Sequence, residues 1–187
     1  MALLRHARLV AALVLLIAAA SRPAPAAAQD QLELEIRAVF LYNFARFVEF
    51  PASSFADAWS PIGICVVGAD PFGETLDRAI AGETINGRPL RAIRIGAGQS
   101  WRACHIVYIS RSEHGRLPAT LDTYRTRPVV SVGEHDDFLA HGGIIRFRRD
   151  DKRLRFDVNL RAAERSGLRI NSRLLSVAAT VRRDPAP

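Results

Sequence analysis

The sequence predicts an α/β fold, a three-layer sandwich in which a mixed, partly parallel sheet is flanked by helices. Two continuous apolar runs, at 62–67 and 104–109, are typical of strands that are covered on both faces. Helical patterns alternate with these strands, which favours parallel crossover connections. A late hairpin, with strands at 144–149 and 154–159, adds antiparallel pairing to the sheet.

The first predicted helix spans residues 31–50 and stops at Pro51. Apolar residues recur along it at helical spacing, and a second apolar set lies beside them. This apolar surface is wider than the stripe of an ordinary surface helix, so we expect the helix to be deeply buried or shared with a second copy of the chain. Its predicted core or dimer contacts are Phe40, Tyr42, Phe44 and Phe47.

The other elements follow from caps, turns and apolar runs. Asp70 is the expected N-cap, and Pro71 the first residue, of a helix that runs to Ile80. Asn86 and Gly87 predict a tight turn. Further strands are expected at 90–95 and 128–132, and further helices at 112–124, at 135–140, from residue 160 to a break at Gly167, and after Asn171.

Residues 1–28 have the pattern of a secretory signal peptide, and residues 29–187 are expected to form one domain. Arg5 and Arg8 precede an apolar run, and the small residues 26–28 suit cleavage before Gln29. The apolar run is shorter than the roughly 20 residues that a spanning helix needs. Cleavage removes three arginines and no acid, so the net charge falls from +7 to +4. This modest excess, without an aromatic and basic binding pattern, argues against a nucleic-acid partner.

The two cysteines are expected to form a disulfide. Cys65 and Cys104 each lie near the start of a predicted buried strand, and export would place them in an oxidising compartment. If these strands are neighbours in the sheet, the sulfurs come within bonding distance. Two buried thiols are the alternative, but an even number of cysteines in an exported chain favours the disulfide.

Two patterns that resemble ligand sites are incomplete. Gly68 and Gly73 follow a strand, but the segment lacks the Lys-Ser/Thr of a P-loop and the third glycine of a dinucleotide fingerprint. His135 and His141 flank an acidic pair, but they are six residues apart, whereas zinc-binding helices carry histidines four apart. We therefore predict neither a cofactor nor a metal.

The sequence also lacks a recognisable catalytic arrangement. No Gly-x-Ser-x-Gly motif occurs, and both cysteines are assigned to the disulfide. Ser110, Glu113 and His114 lie in a polar loop, where strand-end and capping roles explain them more simply. We therefore predict no catalytic residue and a protein that is not an enzyme.

The late hairpin concentrates basic residues. With a four-residue loop, Arg146 faces Asp157 across the two strands as an opposite-charge pair. One interpretation is a solvated sheet edge whose charges discourage aggregation. The other is a docking face for an acidic partner or a membrane surface.

Four motifs, in order along the chain, resemble those of the YfiR family. The first is Ala-Val-Phe-Leu-Tyr-Asn-Phe-Ala-Arg-Phe-Val-Glu-Phe-Pro at 38–51, and the second comprises Ile-Cys-Val-Val-Gly at 64–68 and Cys-His-Ile-Val-Tyr-Ile-Ser at 104–110. The third runs from Gly-Gly-Ile-Ile-x-Phe at 142–147 to Asn-Leu at 159–160, and the fourth is Gly-Leu-x-Ile-x-Ser-Arg-Leu-Leu at 167–175.

The resemblance implies a periplasmic regulator rather than an enzyme. The best-known member of the family binds the periplasmic domain of an inner-membrane diguanylate cyclase and holds it inactive, and its release raises cyclic-di-GMP and promotes biofilm formation. The expected partner is therefore such a cyclase or a sensor kinase. The resemblance also implies a homodimer, and Cys65 and Cys104 match one of two family cysteine pairs, while the second pair is absent.

The predicted partner surface covers residues 157–167, where a strand passes into a helix. Its predicted contacts are Asp157, Asn159, Arg161, Ala163, Glu164 and Gly167. The alternative function is a periplasmic small-molecule-binding protein of a sensory or transport system. Residues 68–72 and 110–114 would then line a ligand crevice at the carboxyl ends of the strands.

Overall fold

An eight-stranded mixed sheet organises the computed structural model, which describes residues 26–96, 101–150 and 153–183. Its strands stand in the order β10-β8-β7-β6-β5-β2-β4-β3, and β1 pairs separately with β9. Five neighbouring pairs are parallel, while β7 with β8 and β3 with β4 are antiparallel. The strands are β1 (Val48–Glu49), β2 (Ile62–Val67), β3 (Thr84–Ile85), β4 (Arg88–Ile95), β5 (Cys104–Ile109), β6 (Val130–Gly133), β7 (Ile145–Asp150), β8 (Arg153–Asn159), β9 (Arg169–Ile170) and β10 (Thr180–Arg182).

Helices cover both faces of this sheet, as the sequence predicts. The described residues form α1 (Ala26–Arg46), α2 (Glu74–Ile80), α3 (Leu117–Asp122), α4 (Leu160–Arg165) and α5 (Ser172–Val177). Short 3-10 helices occur at Ala52–Ser54 and Arg111–Arg116. None of these helices combines the length and the apolarity that crossing a membrane would require.

Two separate apolar cores confirm the three-layer arrangement. On β2, Ile64 belongs to the core beneath α1, α2, α4 and α5, while the adjacent Cys65 belongs to the core beneath α3. On β5, Ile106 and Val107 divide between the same two cores. This alternation is the strand period of two, with both faces buried.

The predicted signal peptide lies almost entirely outside the described residues. Ala26–Arg46 is described as one helix, so it includes the last residues of the predicted leader. The chain divides into two units at Leu34, and the described residues from Leu34 onward belong to one of them. Cleavage and the domain boundary at residue 29 therefore stay predictions.

One predicted helix end and one predicted helix start are wrong by several residues. The first helix ends at Arg46, because Val48 and Glu49 pair as a strand with Ile170 and Arg169. Gly73 caps α2, so the predicted Asp70 cap and Pro71 start are wrong.

Asp70 has a local role that its position before a helix did not reveal. Its Oδ1 accepts a hydrogen bond from the Phe72 backbone N–H at 2.8 Å, which makes a turn ahead of the helix. Asn86 and Gly87 both have positive φ and join β3 to β4, so the predicted turn is confirmed.

The predicted helix at 135–140 is a series of turns. Phe138 is completely buried, and its ring lies against both Gly133 and Gly143, where an added Cβ would collide with the ring. Residues 135–143 therefore form a compact loop around one buried aromatic side chain, and the predicted helix is wrong.

The predicted helix at 112–124 begins as a 3-10 helix and becomes α3 only at Leu117, with Pro118 in its first turn.

Candidate functional site

The predicted disulfide between Cys65 and Cys104 is present in the structure. It joins neighbouring parallel strands, with the two Cα atoms 5.6 Å apart. Both residues are buried in the core beneath α3, with relative exposures of 0% and 5%. The bond therefore lies in the interior of the sheet sandwich.

The aromatic residues of α1 form part of the core. Phe44 is completely buried, and its ring lies 5.2 Å from Phe156 and 5.7 Å from Phe147, centroid to centroid. Phe40 also contacts both hairpin aromatics, at 5.7 and 6.0 Å. These edge and tilted contacts tie α1 to the hairpin strands.

Tyr42 and Phe47 are half-buried and pack against the same core. Ile36 and Val39 are 39% and 41% exposed on the same helix. The predicted use of this helix in a dimer stays a prediction.

Asp157, predicted to contact a partner, is instead 2% exposed and bound by two arginines. Its Oδ2 accepts from Arg146 Nη2 at 2.7 Å, and its Oδ1 from Arg148 Nε at 3.3 Å. The cross-strand register places Arg146 directly opposite, as predicted. Asp157 does face away from Phe156, but residues 135–142 cover this second face, since Arg146 also donates to the Asp136 carbonyl at 2.7 Å.

Asn159 and Ala163 are also buried within the described structure. The Asn159 side chain caps α4 by accepting from the Ala162 N–H at 3.0 Å, and it donates to the Leu139 carbonyl at 3.2 Å. Ala163 is completely buried. Of the six predicted partner contacts, Arg161, Glu164 and Gly167 are exposed. Direct binding through the three buried residues would require local rearrangement.

A second charged cluster, absent from our sequence predictions, surrounds Glu134 directly after β6. Its Oε1 accepts from the Tyr108 hydroxyl at 2.5 Å and lies 3.2 Å from Arg37 Nε, while Oε2 lies 3.4 Å from Arg111 Nε. The carboxylate side chain is only 9% exposed. Burial, and then the charge of Glu134, raise the pKa of the Tyr108 hydroxyl, which therefore stays protonated and donates.

A pocket of about 400 Å³ opens beside this cluster, at the carboxyl ends of β5, β6 and β7. Its polar lining consists of Glu134 and four arginines, and its apolar lining of two side chains. The lining residues are Arg37, Arg111, Glu134, Phe147, Arg148, Arg149 and Leu154. Four guanidinium groups and one carboxylate line this pocket, and although Arg148 is also paired with Asp150 and Asp157, the lining carries a net positive charge.

A neighbouring pocket of about 460 Å³ shares Arg111 and Glu134 with the first. It is also lined by His135, which is 6% exposed; its ring nitrogens make no hydrogen bond of standard geometry among the described residues, although the Arg111 backbone lies close enough to act on the His135 pKa. Its ring stacks on His114, with centroids 5.5 Å apart, and burial lowers its pKa. A buried imidazole without standard hydrogen bonds is a group that a bound molecule or water would satisfy.

The two segments that were predicted to line a ligand crevice, 68–72 and 110–114, contact each other. The Ser112 hydroxyl accepts from the Ala69 N–H at 2.9 Å, and a Cβ at Gly68 would collide with that hydroxyl. The two loops after β2 and β5 are therefore in direct contact. Arg111 and His114 do line a pocket, but on the side of β6 and β7.

The residues weighed as metal or catalytic groups have other contacts. His141 Nε2 lies 3.1 Å from Asp137 Oδ2, and no metal-binding group of three His, Cys, Asp or Glu occurs in the described ranges. Ser110 caps the 3-10 helix through the Ser112 N–H, and Glu113 pairs with Arg116 at 3.0 Å.

The Glu134 cluster was missed because its members are scattered through the chain. Arg37 lies on α1, while Tyr108, Arg111 and Glu134 lie in or after β5 and β6. One signal was present: charged residues that follow two buried parallel strands meet at the same sheet edge.

Comparison with known proteins identifies the family of the chain. No curated protein matches it significantly. A family model described as YfiR/HmsC-like matches residues 34–179, which extend from α1 to the residue before β10. Such membership indicates a periplasmic regulatory protein linked to diguanylate cyclase. Because the match covers most of the chain, this protein belongs to the YfiR/HmsC-like family.

Proposed function

We propose that this protein binds the periplasmic sensory domain of a membrane-bound diguanylate cyclase and represses the enzyme. Repression lowers cyclic-di-GMP and biofilm formation. The observation that carries this proposal is the YfiR/HmsC-like match over residues 34–179. The periplasmic domain of a membrane-anchored sensor kinase is the other partner that fits this role.

The surface best suited to the contact lies on α4, β9 and α5, and we call it the arginine surface. We define it by its exposed arginines, which are Arg161 and Arg165 one turn apart on α4, Arg169 on β9 and Arg173 on α5; Glu164 on α4 is also exposed. Arg169 lies 3.9 Å from Glu49, and both side chains are solvated, so this pair contributes little stability. A surface of this charge fits an acidic patch on the partner.

The short helices that carry the arginine surface are firmly positioned. Asn159 caps α4, and Asn171 caps α5 by accepting from the Arg173 N–H at 2.9 Å. Ala163 and Leu174 anchor the two helices in the core. The exposed side chains therefore project from a fixed backbone, which lowers the entropic cost of binding.

Charge reversal tests the arginine surface. Replacing Arg161→Glu together with Arg165→Glu should weaken capture of the cyclase sensory domain by about tenfold or more, because opposed charges become like charges. The assay is capture of the purified sensory domain by residues 29–187, together with cyclic-di-GMP in cells that carry each variant.

Arg91→Glu is the matched control, since Arg91 is an exposed arginine on β4, near the opposite edge of the sheet. It should leave capture unchanged. Unaltered capture by the double variant, with an unaltered melting temperature, would assign the contact to another surface. Unchanged cyclic-di-GMP after gene deletion would count against the function itself.

A second function, binding of a small molecule, is favoured by one observation. The pocket beside Glu134 has a volume of about 400 Å³, within the range of small-ligand sites. Ligand binding and partner binding are compatible in one protein.

A further inference from the structure

We propose that the pocket beside Glu134 binds a small organic anion through carboxylate or phosphate oxygens, with Arg111 and Arg148 as principal donors. This inference specifies the ligand-binding function and does not depend on the contact with a cyclase. It rests on the placement, the charge and the hydrogen-bonding capacity of the pocket.

The placement is that of a ligand crevice in an α/β sheet. The pocket lies at the carboxyl ends of β5, β6 and β7, which run parallel to one another. Such sheets bind ligands at this edge, typically where the strand order reverses, which here is between β2 and β5. The adjacent position between β2 and β5 is filled, because the Ser112 hydroxyl receives the Ala69 N–H there. Space for a ligand is therefore found one strand further along the sheet.

The charge of the lining selects an anion. Glu134 is the carboxylate among the lining residues, and its two oxygens are already engaged by Tyr108, Arg37 and Arg111. It is therefore positioned to hold the arginines and not to receive a cationic ligand. The lining has four arginines, and three carboxylates oppose them, Glu134 in the lining and Asp150 and Asp157 paired with Arg148, so the formal charge is 4 − 3 = +1.

The two principal arginines have donors to offer. A guanidinium group has five N–H donors in a fork that matches carboxylate and phosphate oxygens. Arg111 contacts Glu134 through Nε alone, at 3.4 Å, and its side chain is 75% exposed. Arg148 contacts Asp157 through Nε and Asp150 through Nη2, at 3.3 and 3.4 Å. These long contacts are compatible with a further, shorter bond to an anion.

The neighbouring pocket offers space for a part of the ligand beyond its anionic group, and that part must carry no negative charge because Asp136 and Asp137 also line this pocket. It shares Arg111 and Glu134 with the first pocket, and the ring nitrogens of its buried His135 make no hydrogen bond of standard geometry among the described residues, with the Arg111 backbone nearby. A hydroxyl or amide group on the same molecule would satisfy that imidazole. The expected ligand therefore has an anionic group beside Arg111 and Arg148 and a polar group beside His135.

Calorimetric titration of residues 29–187 with inorganic phosphate and with succinate tests the anion site. Both titrations are done at constant ionic strength set with sodium chloride. Arg111→Gln should raise the Kd for the anion that binds by about tenfold or more, since it removes charge-assisted hydrogen bonds. The phosphate and succinate arms decide which oxygen chemistry the site prefers.

Arg116→Gln is the matched control, because Arg116 is 76% exposed in the same 3-10 helix but does not line the pocket. It should keep the wild-type Kd. Absence of binding by both anions overturns the proposal, as does equal weakening in both variants, which would indicate general charge attraction. An unchanged Kd in Arg111→Gln overturns it too. Because capture of the cyclase domain is measured separately, a failure here leaves the proposed regulatory function standing.

Discussion

At the scale of single residues, Asp157 stabilises the protein from the interior. A buried carboxylate that loses its charge leaves two arginines without their opposite charge, and breaking a fully buried ion pair costs about 3–5 kcal/mol. Here Arg146 and Arg148 are 23% and 35% exposed, so solvent screens part of that cost. We expect Asp157→Asn to lower the free energy of unfolding by about 2 kcal/mol.

Urea unfolding measures this change, and Asp150→Asn is the control. Asp150 also pairs with Arg148, but its side chain is 50% exposed, so its substitution should change the free energy of unfolding by less than about 0.5 kcal/mol. If Asp157→Asn unfolds like the wild type yet loses partner binding, the residue acts in recognition after all.

His105 is a second buried polar residue with a measurable consequence. Its Nδ1 accepts from the Gly63 N–H at 3.0 Å, so the proton is on Nε2, which donates to the Ser54 carbonyl at 3.1 Å. Burial lowers the pKa of His105 below its ordinary value of 6.5, and protonating Nδ1 would also break the bond from Gly63. The unfolded chain therefore binds this proton more readily than the folded protein does.

Stability should consequently fall as the pH drops from about 6.5 through the folded-state pKa of His105. The test is the free energy of unfolding in urea at pH 7.5 and pH 5.5. His105→Gln removes the titrating group, so the difference between the two pH values should shrink relative to wild type. The residual difference would come partly from His135, whose pKa burial also lowers. An equal difference in both proteins would show that His105 has no part in it.

At the scale of elements, strands were more predictable than helices. The runs at 62–67 and 104–109 became β2 and β5 with their predicted ends. A strand that is buried on both faces has a continuous apolar sequence, and a run of six residues is too short for a typical helix. The hairpin was predictable for a similar reason, since strict alternation fixes its register. Helix ends were less predictable, because tertiary contacts moved them.

The segment 135–143 shows why the sequence of one segment does not predict such tertiary contacts. The acidic residues of this segment suit the first turn of a short helix. In the structure, however, the Phe138 ring fits between Gly133 and Gly143, and a regular helix would not place these two glycines on either side of the ring. The burial of Asp157 was not predicted for the same reason. Alternation correctly placed it on the face away from Phe156, but nothing in the hairpin itself revealed that residues 135–142 cover that face.

At the scale of the whole molecule, the disulfide joins the two halves of the sheet. From β2 the chain adds β4 and β3 on one side, and then returns to add β5, β6 and β7 on the other. Cys65 and Cys104 bridge β2 and β5, where this direction reverses. The closed loop has a sequence separation of 39 and includes α2, β3 and β4. Reduction would therefore open this loop in the unfolded chain, and the loop contains all the residues that form one flank of the sheet.

Replacing both residues, Cys65→Ala with Cys104→Ala, should lower the free energy of unfolding by about 4 kcal/mol, because the unfolded chain regains the entropy of an open loop of this length. Urea unfolding of wild type with and without dithiothreitol, beside the double variant, measures the effect. Reduced wild type should match the variant, and dithiothreitol should not change the variant further. An unchanged free energy of unfolding in the variant would mean that packing between β2 and β5 suffices to hold the two flanks together, and that the bond adds no stability to the fold.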